Sequence, residues 1–447
     1  MSSSEGALQV AVGGVTAPRI VAAGIASDLR TGEMLDGSFE RRAAKLDARD
    51  RRWLRELVYG MLRQRGAIDA ILDERVRGGL TRVNADLIDL MRLGVYQLLH
   101  MGSVPAYAAI AQTVELAKAR HGIGASKLTN AVLRRIDRER NELTVPVPAD
   151  KLDALAVRYS HPRWLVARWL ERYGDEGTAV LLMKNNAEAP LVVRPFGVVR
   201  EQLEAMLEAS GIEVMDAPPA KDSLQLGGVV SLTELGAYRQ GLFFVQDPGS
   251  TLVTEYAAIP ADSVVADLCA APGGKSIELS RVAKTVLASD RSLLRLQRLK
   301  ENRDRLEAKN IVLAVGDARF PVTREMDVVL IDVPCTGTGT FRRHPDARWR
   351  LKVSDLAVMA ALQSSILKAA AKVVKPGGLL VYSTCSLEPE ENEDQIESFL
   401  ASNPEWTLEA PPAGAVPADT LDNGMLRVLP HIHGSDGAFA ARLRRRG

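Results

Sequence analysis

At 447 residues the chain is longer than one hydrophobic core ordinarily organises, so two or three domains are expected. Hydrophobic residues make up 46% and charged residues 25%, with no stretch of the uninterrupted apolar length of a membrane span, which fits a soluble protein and excludes a membrane-spanning one. The formal net charge of +1 says little about partners, and three cysteines, Cys269, Cys335 and Cys385, exclude a disulfide framework; with no CxxC or clustered Cys/His spacing, no metal is expected.

Residues 1–18 lack the basic start, apolar run and cleavage site of a signal peptide. They are expected to form a disordered tail on a cytoplasmic protein. Over residues 19–142 the apolar side chains fall at helical spacing, Leu54, Leu57, Val58, Met61 and Leu62 making one stripe and Leu87, Leu90, Met91, Val95, Leu98 and Leu99 another. An all-helical bundle is predicted. It carries 22 Lys and Arg against 16 Asp and Glu, a mild basic bias compatible with phosphate contacts. The phrases "DRRWLRELVYGMLRQRGAID", "LMRLGVYQLLHMGSVPAYAAIAQTVELAK" and "KLTNAVLRR" resemble the helical RNA-binding domain of the NusB antitermination family. That resemblance implies an RNA-binding module at the N-terminus.

A Pro-rich, charged linker is expected over residues 143–158. Residues 159–245 then read as a helical segment followed by a small α+β, RNA-binding region, with "LVVRPF", "IEVM", "SLQL" and "GLFFVQD" as strands and "REQLEAMLEAS" as a helix closed by Gly211. Trp164, Trp169 and Tyr173 could stack on bases, but at their helical spacing a core role is the expectation.

From residue 246 to residue 447 the pattern becomes strand, turn, helix, repeated. "SVVADL", "VLASD", "IVLAVGD", "DVVLID" and "GLLVYST" are short, apolar and β-branched, as strands buried on both faces of a parallel sheet should be. A doubly wound α/β, Rossmann-like domain is predicted, with ligands outside the carboxyl ends of its strands.

The first of these strands runs into "DLCAAPGGKS", where small residues and two glycines let the backbone approach a ligand before a helix begins near Lys275. A nucleotide P-loop fails on spacing, because Cys269 stands where it needs glycine and Pro272 interrupts the cradle; a GxGxxG fingerprint is absent. Asp290 closes the second strand, 23 residues after Asp267, a placing that suits ribose hydroxyls, and Asp317 after the third could accept from an adenine amino group. A glycine loop and carboxylates without a phosphate cradle point to S-adenosylmethionine.

"DVPCTGTG" after the fourth strand holds Asp332 and Cys335, and "STCSLEPEENE" after the fifth holds Cys385. Both cysteines sit among turn-forming residues and not in an apolar run, which argues against a packing role. A thiolate adding to carbon 6 of cytosine would make carbon 5 nucleophilic enough to take a methyl group. These phrases resemble the RNA cytosine-5 methyltransferases, and with the NusB-like front end nearly the whole chain resembles the bacterial 16S ribosomal RNA cytosine-5 methyltransferases of the Sun/Fmu type. The resemblance implies Cys385 as nucleophile and Cys335 as the base that promotes product release. It further implies cofactor contacts by Cys269, Ala270, Ala271, Pro272, Gly273, Gly274, Lys275, Asp290, Asp317 and Asp332, with Asp332 also hydrogen-bonding the target base. In DNA cytosine methyltransferases the nucleophile is expected in the "PC" phrase, which would select Cys335.

"FRRHPDARWRLK", residues 341–352, follows the Cys335 loop with four Arg and one Lys. Arg342 and Arg343 are expected to hold phosphates flanking the target nucleotide; His344 is expected to be structural. The last arginines are expected to form a basic tail beyond a final strand, with His433 and Asp436 in its turn. The partner is structured RNA, 16S ribosomal RNA before all, and monomer is the default state. A transfer RNA cytosine methyltransferase and a non-catalytic antitermination or assembly factor are the rival readings.

Overall fold

The leucine-rich stripes near the N-terminus do form helices, Ala17–Arg30, Leu35–Ala43, Ala48–Arg63, Arg65–Asp73, Ala85–His100 and Ala106–Glu139, the last bent at Gly122. Leu54, Leu57, Val58, Met61 and Leu62 are buried, as are Leu87, Leu90, Met91, Val95 and Leu98, while Leu99 is half-buried. Each such side chain withdrawn from water stabilises the bundle by about 1.5–3 kcal/mol. Asp47 caps the third helix by accepting from Asp50 N at 2.8 Å, and Asn84 caps the fifth from Asp86 N at 2.9 Å.

This computed structural model describes residues 14–228 and 231–447, which fall into two units. Residues 1–13 of the expected tail lie outside the described residues, and the first helix already begins at Ala17. The first unit comprises the chain up to Ala187 together with His344–Arg350. Trp349 of that later segment packs on the helical core and donates from Nε1 to Leu62 O at 2.8 Å. The expected linker ends in a helix, Lys151–Arg158, capped by Asp150. The helix Arg163–Asn186, kinked at Gly174, belongs to this unit and not with the small sheet that follows it in sequence. Trp169 is buried in it against His161, a core role that leaves no face for a base.

In the second unit β1 (Leu191–Pro195), β2 (Val214–Asp216), β3 (Leu224–Leu226) and β4 (Phe243–Val245) form an antiparallel sheet in the order β2-β3-β1-β4. The helix Arg200–Ala209 supplies Leu203 and Leu207 to its core of Val193, Leu224 and Phe243.

The larger sheet contains β5 (Val264–Asp267), β6 (Thr285–Asp290), β7 (Ile311–Val315), β8 (Met326–Asp332) and β9 (Val374–Thr384), parallel in the order β7-β6-β5-β8-β9. Four further strands complete it: β10 (Trp406–Leu408), β11 (Leu421–Asp422), β12 (Met425–Val428) and β13 (Ala438–Arg445), with β13 antiparallel to β9 and β10 paired with β13. The prediction of a doubly wound domain is met, as a mixed sheet. The order reverses between β5 and β8, so a crevice opens there at the carboxyl edge.

The helix Val353–Ala371 is long and largely apolar, but Asp355 and Lys368 interrupt its apolar run. Here Leu356, Ile366, Leu367 and Ala370 turn inward, and the last three join the core on one face of the sheet. Its apolar character serves as cover for β8 and β9.

Candidate active site

The loop after β5 is built by hydrogen bonds to its neighbour strand. Ala270 N donates to Ser289 O at 2.9 Å and Ala271 N to Asp290 Oδ2 at 3.3 Å, and the Ala271–Pro272 peptide is cis. Gly273 adopts φ 115°, and a Cβ there would lie 1.9 Å from Leu299 Cδ1, so no larger residue fits. Asp267 is buried, accepting from Ser276 Oγ at 2.6 Å, and burial pushes its carboxyl up to about 7, the charge of Asp332 adding to the effect. It thus anchors the loop from within.

Around this loop lies a cleft of about 170 Å³ lined by Gln246, Asp267, Cys269, Ala270, Ala271, Pro272, Gly273, Gly274, Lys275 and Asp332. Gln246 is only 5% exposed; its Oε1 accepts from Thr251 Oγ1 at 2.9 Å, while its Nε2 has no hydrogen-bond partner among the described residues. A buried donor without an acceptor is costly, and a bound polar ligand would satisfy it. Glycines that leave room for a ligand, an orphaned donor and carboxylates at strand ends together fit S-adenosylmethionine. Asp290, buried, accepts from Ser292 N at 2.9 Å and keeps lone pairs to spare. Asp317 is half-buried, and hydrogen bonds from Arg319 hold its carboxyl down to about 2.

On the other side of the crevice, Lys275 Nζ donates to Asp332 Oδ2 at 2.7 Å and Ser383 Oγ to Asp332 Oδ1 at 2.8 Å. Burial works against the Lys275 ammonium, but Asp332 beside it raises its pKa on balance. Cys335, three residues beyond β8, and Cys385, next after β9, bring their sulfurs to 3.3 Å. All three cysteines are free thiols and half-buried. The hydrogen bond with Cys385, and burial after it, push the Cys335 thiol well above the ordinary range.

Arg342 and Arg343 are not placed to hold phosphate. Arg342 is buried, with Nη2 at 2.8 Å from Asp247 Oδ2, Nη1 at 2.9 Å from Gly434 O, and Nε paired with Asp436. Arg343 binds the same two carboxylates, with Nη2 at 2.7 Å from Asp247 Oδ2. The guanidinium groups neutralise buried acids, and Asp436 is a partner in that network, beyond the turn role expected of it. Arg348 is fully buried too, donating to Asn186 Oδ1 at 2.6 Å and Asn185 O at 2.7 Å. His344 faces Asp36 at 3.2 Å, and the ring of His433 caps its own turn by accepting from Leu429 N at 2.8 Å. At the C-terminus the strand runs to Arg445, and Arg442 and Arg444 pair with Glu409, so these arginines form no loose tail.

Sequence reasoning passed over Gln246, and it passed over Glu391, which is fully buried and bonded to both cysteine loops. A polar residue directly after an apolar strand signalled the first; nothing in the spacing singled out the second.

A parallel sheet closed by an antiparallel β13, with a glycine loop and acidic strand ends lining one crevice, defines a Rossmann-like methyltransferase. Family models agree in three consecutive parts: "NusB family" matches residues 17–138, "Methyltr_RsmF/B-like, ferredoxin-like domain" residues 161–233, and "16S rRNA methyltransferase RsmB/F" residues 257–444. The probable ribosomal RNA small subunit methyltransferase B of Synechocystis is 34% identical, over 89% of this chain and 91% of its own. The ribosomal RNA small subunit methyltransferase B of Vibrio cholerae is 34% identical, over 92% and 93%. The crystal structure of PH0851 superposes with a TM-score of 0.79 at 28% identity, covering 96% of this chain and 99% of that one. NSun6 from Pyrococcus horikoshii shares the fold, at a TM-score of 0.57 and 23% identity over 64% of this chain and 98% of that one. The chain belongs to the 16S rRNA methyltransferase RsmB/F family. It is an enzyme that methylates ribosomal RNA with S-adenosylmethionine.

Proposed function

We propose that the enzyme methylates carbon 5 of a cytidine in 16S ribosomal RNA through a temporary bond between Cys385 and carbon 6 of the ring. The observation that carries the proposal is the 3.3 Å separation of the Cys385 and Cys335 sulfurs at the edge of the cofactor crevice. One cysteine could serve any alkyl transfer, but a pair suits a reaction that both makes and breaks a covalent adduct.

The loop Cys269–Lys275 with Asp290, Asp317 and Asp332 would hold S-adenosylmethionine, which when bound supplies an electrophilic methyl group. Cys385 attacks carbon 6 as the thiolate, and the electron pair of the carbon 5–carbon 6 double bond moves to carbon 5 and into the ring. Asp332, oriented by Lys275 and Ser383, faces N3 of the ring; carboxylate and N3 are both acceptors, so a proton taken from solvent lies between them and neutralises the charge that gathers on the ring. Bonding Cys385 to the ring also ends the hydrogen bond between the two thiols. Once carbon 5 carries its methyl, Cys335 takes the remaining proton from it, the double bond re-forms, and the Cys385–carbon 6 bond breaks. The target base must stand outside any helix for attack at carbon 6.

Bisulfite sequencing of ribosomal RNA from cells with and without the gene tests the assignment directly. One cytidine in 16S RNA should lose protection when the gene is absent; unaltered 16S RNA with a change in transfer RNA would move the substrate to the rival class.

A further inference from the structure

Glu391 has no accessible surface, yet its carboxylate is fully engaged. Oε1 accepts from Thr336 N at 2.9 Å and from Gln363 Nε2 at 2.8 Å. Oε2 accepts from two hydroxyls, those of Thr336 and Ser386, which stand 3.3 Å from one another. Gln363 extends the network by donating to Pro334 O at 2.9 Å. A buried charge with four donors is stable where an unpaired one would not be.

Thr336 follows Cys335 in sequence and Ser386 follows Cys385. The two loops leave different strands, β8 and β9, and no covalent link sets the distance between their tips. The loops are joined by Gly339 N donating to Cys385 O at 3.0 Å and Leu387 N donating to Thr338 Oγ1 at 2.8 Å, and a single oxygen of Glu391, bonded to the hydroxyl behind each cysteine, joins them at the residues next to the sulfurs. This also accounts for a hydroxyl-bearing residue after both cysteines: either one lacking its hydroxyl would leave the buried oxygen short of a donor. We infer that Glu391 is the positioning residue that registers the two cysteine loops, holding the sulfurs at the spacing that adduct formation and release both need. The carboxylate touches neither sulfur, so it is not a catalytic residue. The kinetic part of the inference rests on the proposed roles of Cys385 and Cys335; the spacing part does not.

Two readouts separate these parts. The first is the rate at which diamide oxidises Cys335 and Cys385 to a disulfide in the full chain, two thiols being consumed as the diazene is reduced to its hydrazine. Glu391→Gln keeps the side-chain volume but turns one acceptor into a donor facing donors, so cross-linking should slow by about tenfold or more. Thr336→Val should slow it similarly, and Thr336→Ser, which restores the hydroxyl, should recover it. The second readout is steady-state methylation: in Glu391→Gln, kcat should fall about 100-fold with KM for RNA within about threefold of the parent. Equilibrium dialysis of labelled S-adenosylmethionine should remain at the parent affinity in both variants. Cross-linking at the parent rate in Glu391→Gln and Thr336→Val overturns the inference. Should Glu391→Gln fail to fold, shown by loss of cofactor binding, Thr336→Val decides alone: slowed cross-linking supports it and parent-rate cross-linking ends it. Retained methylation in Cys385→Ala would overturn the proposed function and the kinetic half of the inference, while the cross-linking series would still decide the spacing.

Discussion

A Cβ placed on Gly274 would stand 2.9 Å from Nε2 of Gln246, so the bare backbone of the helix start and the unpartnered amide donor face each other across the cofactor cleft. A methyl group there intrudes on the space that a polar ligand needs, and removing the amide leaves a ligand acceptor unsatisfied. Gln246→Ala should weaken binding of S-adenosylmethionine by about tenfold, the worth of one hydrogen bond in a dry site. Gly274→Ala should weaken it at least as much. Equilibrium dialysis reads both, and unchanged affinity in Gln246→Ala would remove that donor from the site.

The cysteines divide the reaction between them, and their variants should differ in kind. Cys385→Ala should lose methyl transfer by about 1,000-fold or more while still binding cofactor. Cys335→Ala should form the bond to RNA and fail to release it, leaving a protein–RNA adduct that survives a denaturing gel. The adduct appearing with Cys385→Ala instead would exchange the two roles.

Much of this architecture is legible in the sequence because burial on both faces of a sheet demands short apolar runs, as in Val264–Ala266 of β5, Val286–Ala288 of β6, Val328–Ile331 of β8 and Leu379–Val381 of β9. Residues that follow such runs fall at the carboxyl edge, which is why Asp290, Asp332, Cys335 and Cys385 could be singled out. Strands β10, β11 and β12 are two to four residues long and pair antiparallel, too short to show a period. Charge is the harder signal. Glu388, Glu390, Glu391 and Glu393 crowd one phrase, and only the fold shows the Glu391 carboxylate bonded to both cysteine loops. Arg342 looks like a surface cation until Asp247, 95 residues away, is seen to neutralise it.

That pairing carries its own consequence for stability. Arg342 bridges Asp247 and Asp436, and burial followed by the charge of Asp247 already raises the Asp436 carboxyl. Arg342→Ala leaves the buried acids with one cation fewer and should destabilise the second unit by about 3 kcal/mol, read as a lowered urea midpoint. Because the guanidinium is engaged by Asp247, Asp436 and Gly434 O, RNA affinity across a salt series should keep its slope. A flattened slope with unchanged urea midpoint would restore Arg342 to the RNA interface.

Glu409, paired with two arginines of β13, contributes stability that acid removes. Hydrogen bonds from Arg444 and, despite some burial, from Arg442 hold its carboxyl down to about 2, against a value near 4.5 when unfolded. A carboxylate whose pKa is depressed by folding adds stability that is complete above the unfolded value. As pH falls from about 4.5 towards about 2, the unfolded chain takes up the proton first and the contribution drains away. In Glu409→Gln the side chain cannot titrate, so this part of the acid slope should vanish, with lower stability at neutral pH and convergence on the parent near pH 2. Thermal midpoints measured across that window read the difference. Parallel curves for the two proteins would mean that Arg442 and Arg444 anchor β13 without help from the charge on Glu409.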